Sequence, residues 1–433
     1  MARLKRLLKR LAIGLAILVG ILLLANAGYS WWIGRQLEQR LAALRAAGDP
    51  TSFAELAPEP TPLEQDAAAQ LAQLAPELEA FAKEHFQFHE KTPLGQAFDK
   101  RQDQGLGPTP EQAAAMGEIL THYENLLSGL EQASHCTGYA SQIDYSVGYP
   151  QMMEELFQPC GDVRTAARFL RMRIIVLLAG DQVDEAVRTG MMILRLARHY
   201  EGEPALVNGL VVIAVRGIGV EGINLALRAG PVSMELRPQL DEELKRQDDP
   251  LRIVHMFKTE RVLNLGACQG MFVEAWWLPW IEKGLQIDMI EFYDRMLPML
   301  VQNWHQSTPP FSQFNNFPHR SYISRVLIGL MEPALEAGLD AVSRDVAFIR
   351  SLRIVNAITA YTQREGQPPT GLESLELPAA ATIDPFSGEP LKLKQTDHGW
   401  VVYTVYQNRT DEGGDFKDQA DWGLAPAGYV GAE

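Results

Sequence analysis

The sequence is poor in cysteine and lacks the short motifs that mark common catalytic sites. Its three cysteines are too few for a disulfide framework, and no CxxC pair occurs. Cys136 and Cys160 could pair in an oxidising compartment, but we expect three free, buried thiols. There is no GxSxG, no HExxH, no P-loop and no GxGxxG after a strand. The motifs therefore indicate no enzyme class.

Positive charge is also scarce outside the first ten residues. The chain has 39 Lys and Arg against 54 Asp and Glu, and its net charge is -15. Residues 1–10 hold five of the positive charges, which leaves 34 for the remainder, or a net charge of about -20 there. A body this acidic repels phosphate backbones, which excludes nucleic acid as an expected partner.

The longest apolar stretch predicts a membrane anchor. Residues 11–33 carry no charge and would span about 34 Å as a helix, enough to cross a hydrocarbon core of about 30 Å. The basic run before them predicts a cytoplasmic N-terminus, and Trp31 and Trp32 suit an interfacial aromatic belt. We therefore predict a single-pass protein of a bacterial inner membrane, which contacts the lipid bilayer through residues 11–33 and has its body outside the cytoplasm.

A cleaved signal peptide is the alternative interpretation of this segment. Ala25-Asn26-Ala27 is an A-x-A site after an apolar run of suitable length. Apolar and aromatic character continues to Ile33, which favours the uncleaved anchor. Both interpretations place the body outside the cytoplasm.

The remaining pattern predicts a mainly α-helical protein with four parts. Residues 1–34 form the cytoplasmic tip and transmembrane signal-anchor, and residues 35–62 form a helical stalk and a proline-rich linker. Residues 63–337 read as an irregular α-helical domain of hairpins, solenoid-like but without a fixed repeat. Residues 338–433 predict a small α+β module, with a helix followed by short strands joined at Asp397-His398-Gly399.

Residues 271–281 are unusually aromatic. Trp276, Trp277 and Trp280 are candidates for a surface that meets a membrane or a protein partner. A wedge in the protein core is the simpler alternative.

The C-terminal module resembles the globular part of type II secretion major pseudopilins and related pilin-like domains. The resemblance covers residues 348–422 and rests on AITAYTQREGQPPTGLESL, then DPFSGEPLKL, then WVVYTVYQNRTDEGGDFKDQAD. It implies a helix, a tight turn, a β-hairpin and an acidic Gly-rich loop in that order. The chain departs from true pseudopilins because its apolar N-terminal segment has no Glu and no Gly-Phe cleavage site. We therefore expect an appended pilin-like module rather than a pilin that polymerises.

The acidic loop is the candidate metal site. Hard oxygen ligands on a flexible loop suit calcium, which takes six to eight of them. In the resembling family a loop at this place binds calcium; Asn408 and Asp421 match family Asp positions, and Asp411 is a looser match. The predicted Ca²⁺ ligands are Asn408, Asp411, Asp415, Asp418 and Asp421.

Together these patterns predict a membrane-anchored envelope protein that is a non-catalytic scaffold or binds envelope protein partners, alongside a secretion or pilus-like system. The alternatives are an exported enzyme with a dispersed active site and a ligand sensor with a groove in the helical domain. His85 and His89 lie four apart on a predicted helix, a spacing that suits zinc, but no third ligand is evident.

Overall fold

The computed structural model of the protein describes residues 2–147, 149–156, 158–249, 251–269, 271, 278–302 and 321–429. The chain is mainly helical, as predicted, with one small antiparallel sheet near its C-terminus. The helices are α1 (Ala2–Ala46), α2 (Ala67–Lys91), α3 (Pro93–Asp103), α4 (Pro110–Thr121), α5 (Glu124–His135), α6 (Tyr149–Leu156), α7 (Gln158–Ala179), α8 (Val183–Tyr200), α9 (Leu206–Ala229), α10 (Leu236–Gln247), α11 (Arg252–Cys268), α12 (Pro279–Gln302) and α13 (Tyr322–Glu365). The strands are β1 (Lys392–Thr396), β2 (Gly399–Thr404) and β3 (Trp422–Leu424).

Local sequence signals account for many of the helix ends. Asp66 caps α2 by accepting a hydrogen bond from the Ala68 N–H, and Thr109 and Gln112 form a reciprocal capping box at α4. Helix α13 begins after the capping residue Ser321. It ends at Gly366, whose φ of 73° is the left-handed conformation that glycine adopts at low cost.

Helix α1 continues without a break from the apolar segment into the body. Residues 11–25 are largely exposed, whereas Ser30, Ile33 and Leu44 further along the helix are buried. Asp49, just after the helix, forms ion pairs with Lys258 and Arg261 of α11. The predicted stalk is therefore packed against the body.

Among the described residues, two helices are long and apolar enough to cross a membrane. They are α1, over Leu8–Ala46, and α9. The apolar window of α1 is exposed, while most of that of α9 is buried inside the protein. Because α9 also carries the fully buried Arg216, we interpret it as the central helix of the body. The long apolar α1 is compatible with a membrane anchor.

The body has two large hydrophobic cores. The first is formed by α2, α4, α5 and α7–α10 together with the second half of α13 and the sheet. The second is formed by the end of α1 with α11, α12 and the first half of α13. Helix α13 belongs to both cores, and it runs unbroken across residue 338, where the sequence suggests a domain boundary.

The sheet has the order β1-β2-β3 and is antiparallel throughout. Thr396 pairs with Gly399, so Asp397 and His398 form the hairpin turn at the predicted place. Val402 and Leu424 share the first core with the helical body. The C-terminal module is thus packed into the body.

The three cysteines are free, as expected, but only Cys268 is buried. Cys136 and Cys160 are partly exposed. The thiol of Cys160 donates a hydrogen bond to Oδ1 of Asn208 at 2.9 Å.

A buried cluster of charges joins the two cores. Arg216 of α9 is wholly buried and pairs with Asp345 of α13 and with Glu201. Arg252 of α11 reaches the same two carboxylates, with 3.2 Å between its Nη1 and Oδ2 of Asp345. The side chain of Gln247 accepts a further hydrogen bond from Arg216 at 3.0 Å. A charge without a partner in such a place would be costly, so these contacts fix how α9, α11 and α13 meet.

We predict that Asp345→Ala lowers the free energy of unfolding by about 3–5 kcal/mol, because it leaves two buried guanidinium groups with one carboxylate between them. Urea unfolding of the full chain in detergent, followed by circular dichroism, measures this. The matched control is Glu242→Ala, which removes an exposed acid that pairs with Lys245 and Arg246 and is expected to cost less than about 1 kcal/mol. Equal effects of the two substitutions would contradict the role given to the buried cluster.

Candidate functional site

The turn before the sheet is held by one buried carboxylate. Asp384 accepts hydrogen bonds from the Phe386 N–H at 2.8 Å and from the Ser387 hydroxyl at 3.0 Å, which closes the turn. Its carboxylate also accepts from the Thr404 hydroxyl and from the Val405 N–H at the end of β2. This carboxylate therefore sets the position of β2 and of the acidic loop that follows it.

Asp421 is the most buried of the predicted calcium ligands. Its side chain is fully buried, and its Oδ2 accepts a hydrogen bond from the Gly414 N–H at 2.8 Å. Within the described part of the chain, its Oδ1 is buried and accepts no hydrogen bond. Burial raises the pKa of Asp421 to about 6, and the nearby charges of Glu412 and Asp411 act in the same direction.

Two further carboxylates lie around Asp421. Asp411 accepts hydrogen bonds at Oδ1 from the Tyr403 hydroxyl (2.9 Å) and from the Gly413 N–H (3.0 Å). Glu412 accepts from the Asn408 amide at Oε1, and among the described residues its Oε2 is buried without a partner. The loop thus holds two buried carboxylate oxygens, one on Asp421 and one on Glu412, that accept no hydrogen bond from any described residue.

The other predicted ligands lie towards solvent. Asn408 accepts from the Thr410 N–H, and the carboxylate of Asp415 accepts from the Lys417 N–H, so both side chains close local turns. The backbone carbonyl of Asp415 accepts from the Asp421 N–H at 2.8 Å. Asp418 is exposed and has a φ of 52°.

Buried carboxylate oxygens without donors attract either a proton or a cation. In the described residues, no three His, Cys, Asp or Glu side chains already converge as metal ligands. Calcium binding would therefore require Asp411 and Glu412 to turn towards Asp421, with backbone carbonyls completing the shell.

Glu412 was not among the predicted ligands, although it lies in the same acidic run. Tyr403, which positions Asp411 from β2, was also missed. The position of Glu412 directly after Asp411 in the acidic loop would have been enough to name it as a further candidate ligand. No local pattern points to Tyr403, because its contact depends on the register of the hairpin.

Of the three tryptophans in the aromatic segment, Trp280 lies within the described residues. Trp276 and Trp277 lie outside them. The indole of Trp280 donates a hydrogen bond to Oδ1 of Asn26 at 3.0 Å, and its ring meets Tyr29 edge-on at 5.4 Å. Both partners belong to the apolar part of α1. Trp280 is thus half-buried against the predicted membrane segment.

A cleft of about 210 Å³ brings His85 and His89 together with Asp99, Arg168 and Arg171. The two imidazole rings are 4.3 Å apart, and Nδ1 of His89 is 2.7 Å from Oδ1 of Asp99. Burial, followed by the neighbouring positive charges, lowers the pKa of His85 to about 4. Among the described residues that line the cleft, none carries a hydroxyl or thiol group that could act as a nucleophile.

Neither site is explained by a relative. Comparisons with protein-family models, curated proteins and solved structures found no match to this chain. The pseudopilin-like interpretation of the C-terminal module therefore stays a prediction from sequence motifs.

We predict that Asp421→Asn removes a pH-dependent loss of stability. The folded protein holds the Asp421 proton up to about pH 6, whereas the unfolded chain releases it near 3.8. The stabilisation from this proton is present below the lower value and is lost as the pH rises through the higher one. Without metal, the variant should therefore gain stability relative to wild type as the pH rises across this window.

Thermal unfolding in chelator at a series of pH values measures the difference. The matched control is the exposed Asp418→Asn, which should parallel wild type. A constant difference between Asp421→Asn and wild type at every pH would show that Asp421 ionises normally.

Proposed function

We propose that this protein is a single-pass, membrane-anchored envelope protein whose exported body is a non-catalytic scaffold for a protein partner, associated with a secretion or pilus-like system. The observation that carries the proposal is the continuity of α1 from an uncharged apolar segment into the packed body. The association with secretion rests on the resemblance of the C-terminal module to pseudopilins.

The contacts of α1 support a scaffold rather than a body that swings on a tether. Arg40 of α1 forms an ion pair with Glu291 of α12, and Leu44 is buried in the second core. Asp49 then pairs with two cations of α11. A helix held at so many points transmits the orientation of the membrane segment to the body.

We further propose that the acidic loop binds calcium. The support consists of the two unsatisfied buried oxygens, on Asp421 and Glu412, and of the matching positions in the resembling family. A bound cation would favour the ionised form of Asp421 and remove the cost of its burial.

The enzyme alternative would use the histidine cleft. A strongly shifted pKa in a cleft favours an active site in general, and His85 satisfies that criterion. However, the cleft volume is below the 300–1,000 Å³ or so of typical small-molecule sites, and none of the described residues that line it carries a hydroxyl or thiol group. We therefore place the scaffold first.

The anchor is tested by fusing alkaline phosphatase, which is active only outside the cytoplasm, to the C-terminus of the full chain. We expect active phosphatase that stays with the membrane after a carbonate wash. A Leu18→Arg, Leu22→Arg variant should lose membrane retention, since each Arg costs about 2.5–3.5 kcal/mol at the centre of a spanning helix. Leu18→Ala, Leu22→Ala is the matched control. Soluble, active fusion whose chain begins at Gly28 would instead establish a cleaved signal peptide, and inactive fusion would contradict export.

The calcium site is tested by thermal unfolding of the full chain in detergent with calcium and with chelator. Calcium at a hundred times its Kd would add about 2.7 kcal/mol to the free energy of unfolding. We expect a rise in melting temperature that is lost in Asp411→Ala, Asp421→Ala and retained in Asp397→Ala, which removes an exposed acid from the hairpin turn. No rise at millimolar calcium would refute the metal site while leaving the anchored scaffold untouched.

A further inference from the structure

Helix α12 lies beside α1 and runs in the same direction. Asn26 of α1 meets Trp280 near the start of α12, and Arg40 meets Glu291 further along both helices. The first turn of α12 is therefore level with the apolar segment 11–33, not beyond its end.

Helix α13 runs in the same direction as α12. The reason is that α9 and α13 are parallel to each other, and that α9 and α12 are both antiparallel to α11. Leu206–Gly338 and Arg216–Asp345 set the direction of α13 relative to α9. Leu206–Glu260 and Gly209–Met256 set that of α11 relative to α9. Arg261–Asp294 and Leu265–Gln286 set that of α12 relative to α11.

The same contacts place the start of α13 near the membrane segment. Gly338 of α13 packs against Leu206 of α9, whose N–H donates a hydrogen bond to Glu260 of α11. The next residue of α11, Arg261, pairs with Asp294 of α12, so Gly338 and Asp294 are at a similar level. Tyr322 lies sixteen residues before Gly338, or about 24 Å, and Trp280 lies fourteen residues before Asp294, or about 21 Å. Tyr322 is therefore about level with Trp280, and so with the apolar part of α1.

The first four turns of α13 expose a face without charge. The large side chains Tyr322, Ile323, Val326 and Leu330 are 78%, 36%, 42% and 72% exposed. At about 100° per residue they fall within an arc of about 100° on the helix surface. The other exposed residues on or beside this arc are Gly329, Pro333, Ala334 and Ala337. The charged Arg325, Glu332 and Glu336 lie together to one side of it.

We propose that this face of α13, from Tyr322 to Leu330, lies in the outer surface layer of the lipid bilayer, as a second membrane contact beside the anchor. The proposal rests on the anchored topology proposed above. Tyr322 is level with a residue of α1 that lies about six positions before Ile33. It therefore lies roughly 9 Å deeper in the bilayer than Ile33, the last residue of the apolar segment.

A lipid surface fits this face better than a protein partner, because the anchor fixes its level. Any bilayer crossed by residues 11–33 must extend sideways to the start of α13, since α1, α12 and α13 share one core. Apolar surface removed from water there contributes about 25 cal/mol per Å². Tyr322 at the deepest turn also suits the aromatic zone of an interface.

The test uses spin labels on the full chain in liposomes of phosphatidylethanolamine and phosphatidylglycerol. Cys136, Cys160 and Cys268 are first replaced by Ser or Ala, and unchanged thermal unfolding confirms the fold. Single cysteines are then placed at Val326, at Leu22 in the anchor, and at Met234. Met234 is the matched control, an exposed apolar residue that follows α9 at the end remote from the membrane segment. Collision with oxygen reports lipid, and collision with a water-soluble nickel complex reports water.

We expect the Leu22 and Val326 labels to collide mainly with oxygen and the Met234 label mainly with nickel. A Leu22 label in lipid with a Val326 label in water would overturn the second contact while leaving the anchor intact. A Val326 label screened from both reagents would mean that protein, such as a second copy of the chain, covers the face, and this also overturns the proposal. A Leu22 label in water would refute the anchor itself and the second contact with it.

Discussion

The body depends on the need to neutralise Arg216 inside an apolar helix. A guanidinium group that is wholly buried costs several kcal/mol unless it is paired and hydrogen-bonded. Asp345 supplies the buried carboxylate, and Glu201 and Gln247 complete the contacts. Because Asp345 lies on α13, this requirement holds the helix that carries the C-terminal module against the helix at the centre of the body.

The second constraint is the uninterrupted course of α1. A flexible linker after residue 34 would let the body take any orientation relative to the apolar segment 11–33. The helix instead continues to Ala46, and its last turns are covered by α12. The direction of the apolar segment and the direction of α12 are therefore linked, and the start of α12 lies against the apolar segment through Trp280.

Local patterns made part of this fold predictable. The apolar span, the helical majority and the hairpin at Asp397-His398 each follow from residues close together in sequence. The Arg216–Asp345 pair joins residues 129 apart, and no periodicity encodes such a partner. The change from helices to strands suggests a boundary near residue 338, and the structure shows that one helix, α13, runs through this position. In the acidic loop, sequence identified Asp421 and Asp411 as candidates, but only folding distinguishes the buried Asp421 from the exposed Asp418.

Helix α13 relates the two candidate surfaces to each other. Its first turns carry the exposed apolar face, and its Asp340 accepts hydrogen bonds from Tyr406 and Gln407, where the acidic loop begins. Eighteen residues separate Tyr322 from Asp340, which is about 27 Å along a helix. Since one helix spans this distance, the start of the loop cannot approach the level of Tyr322 without breaking contacts in both cores. The start of the loop therefore lies at a nearly constant distance from the level of Tyr322, because one continuous helix sets that distance.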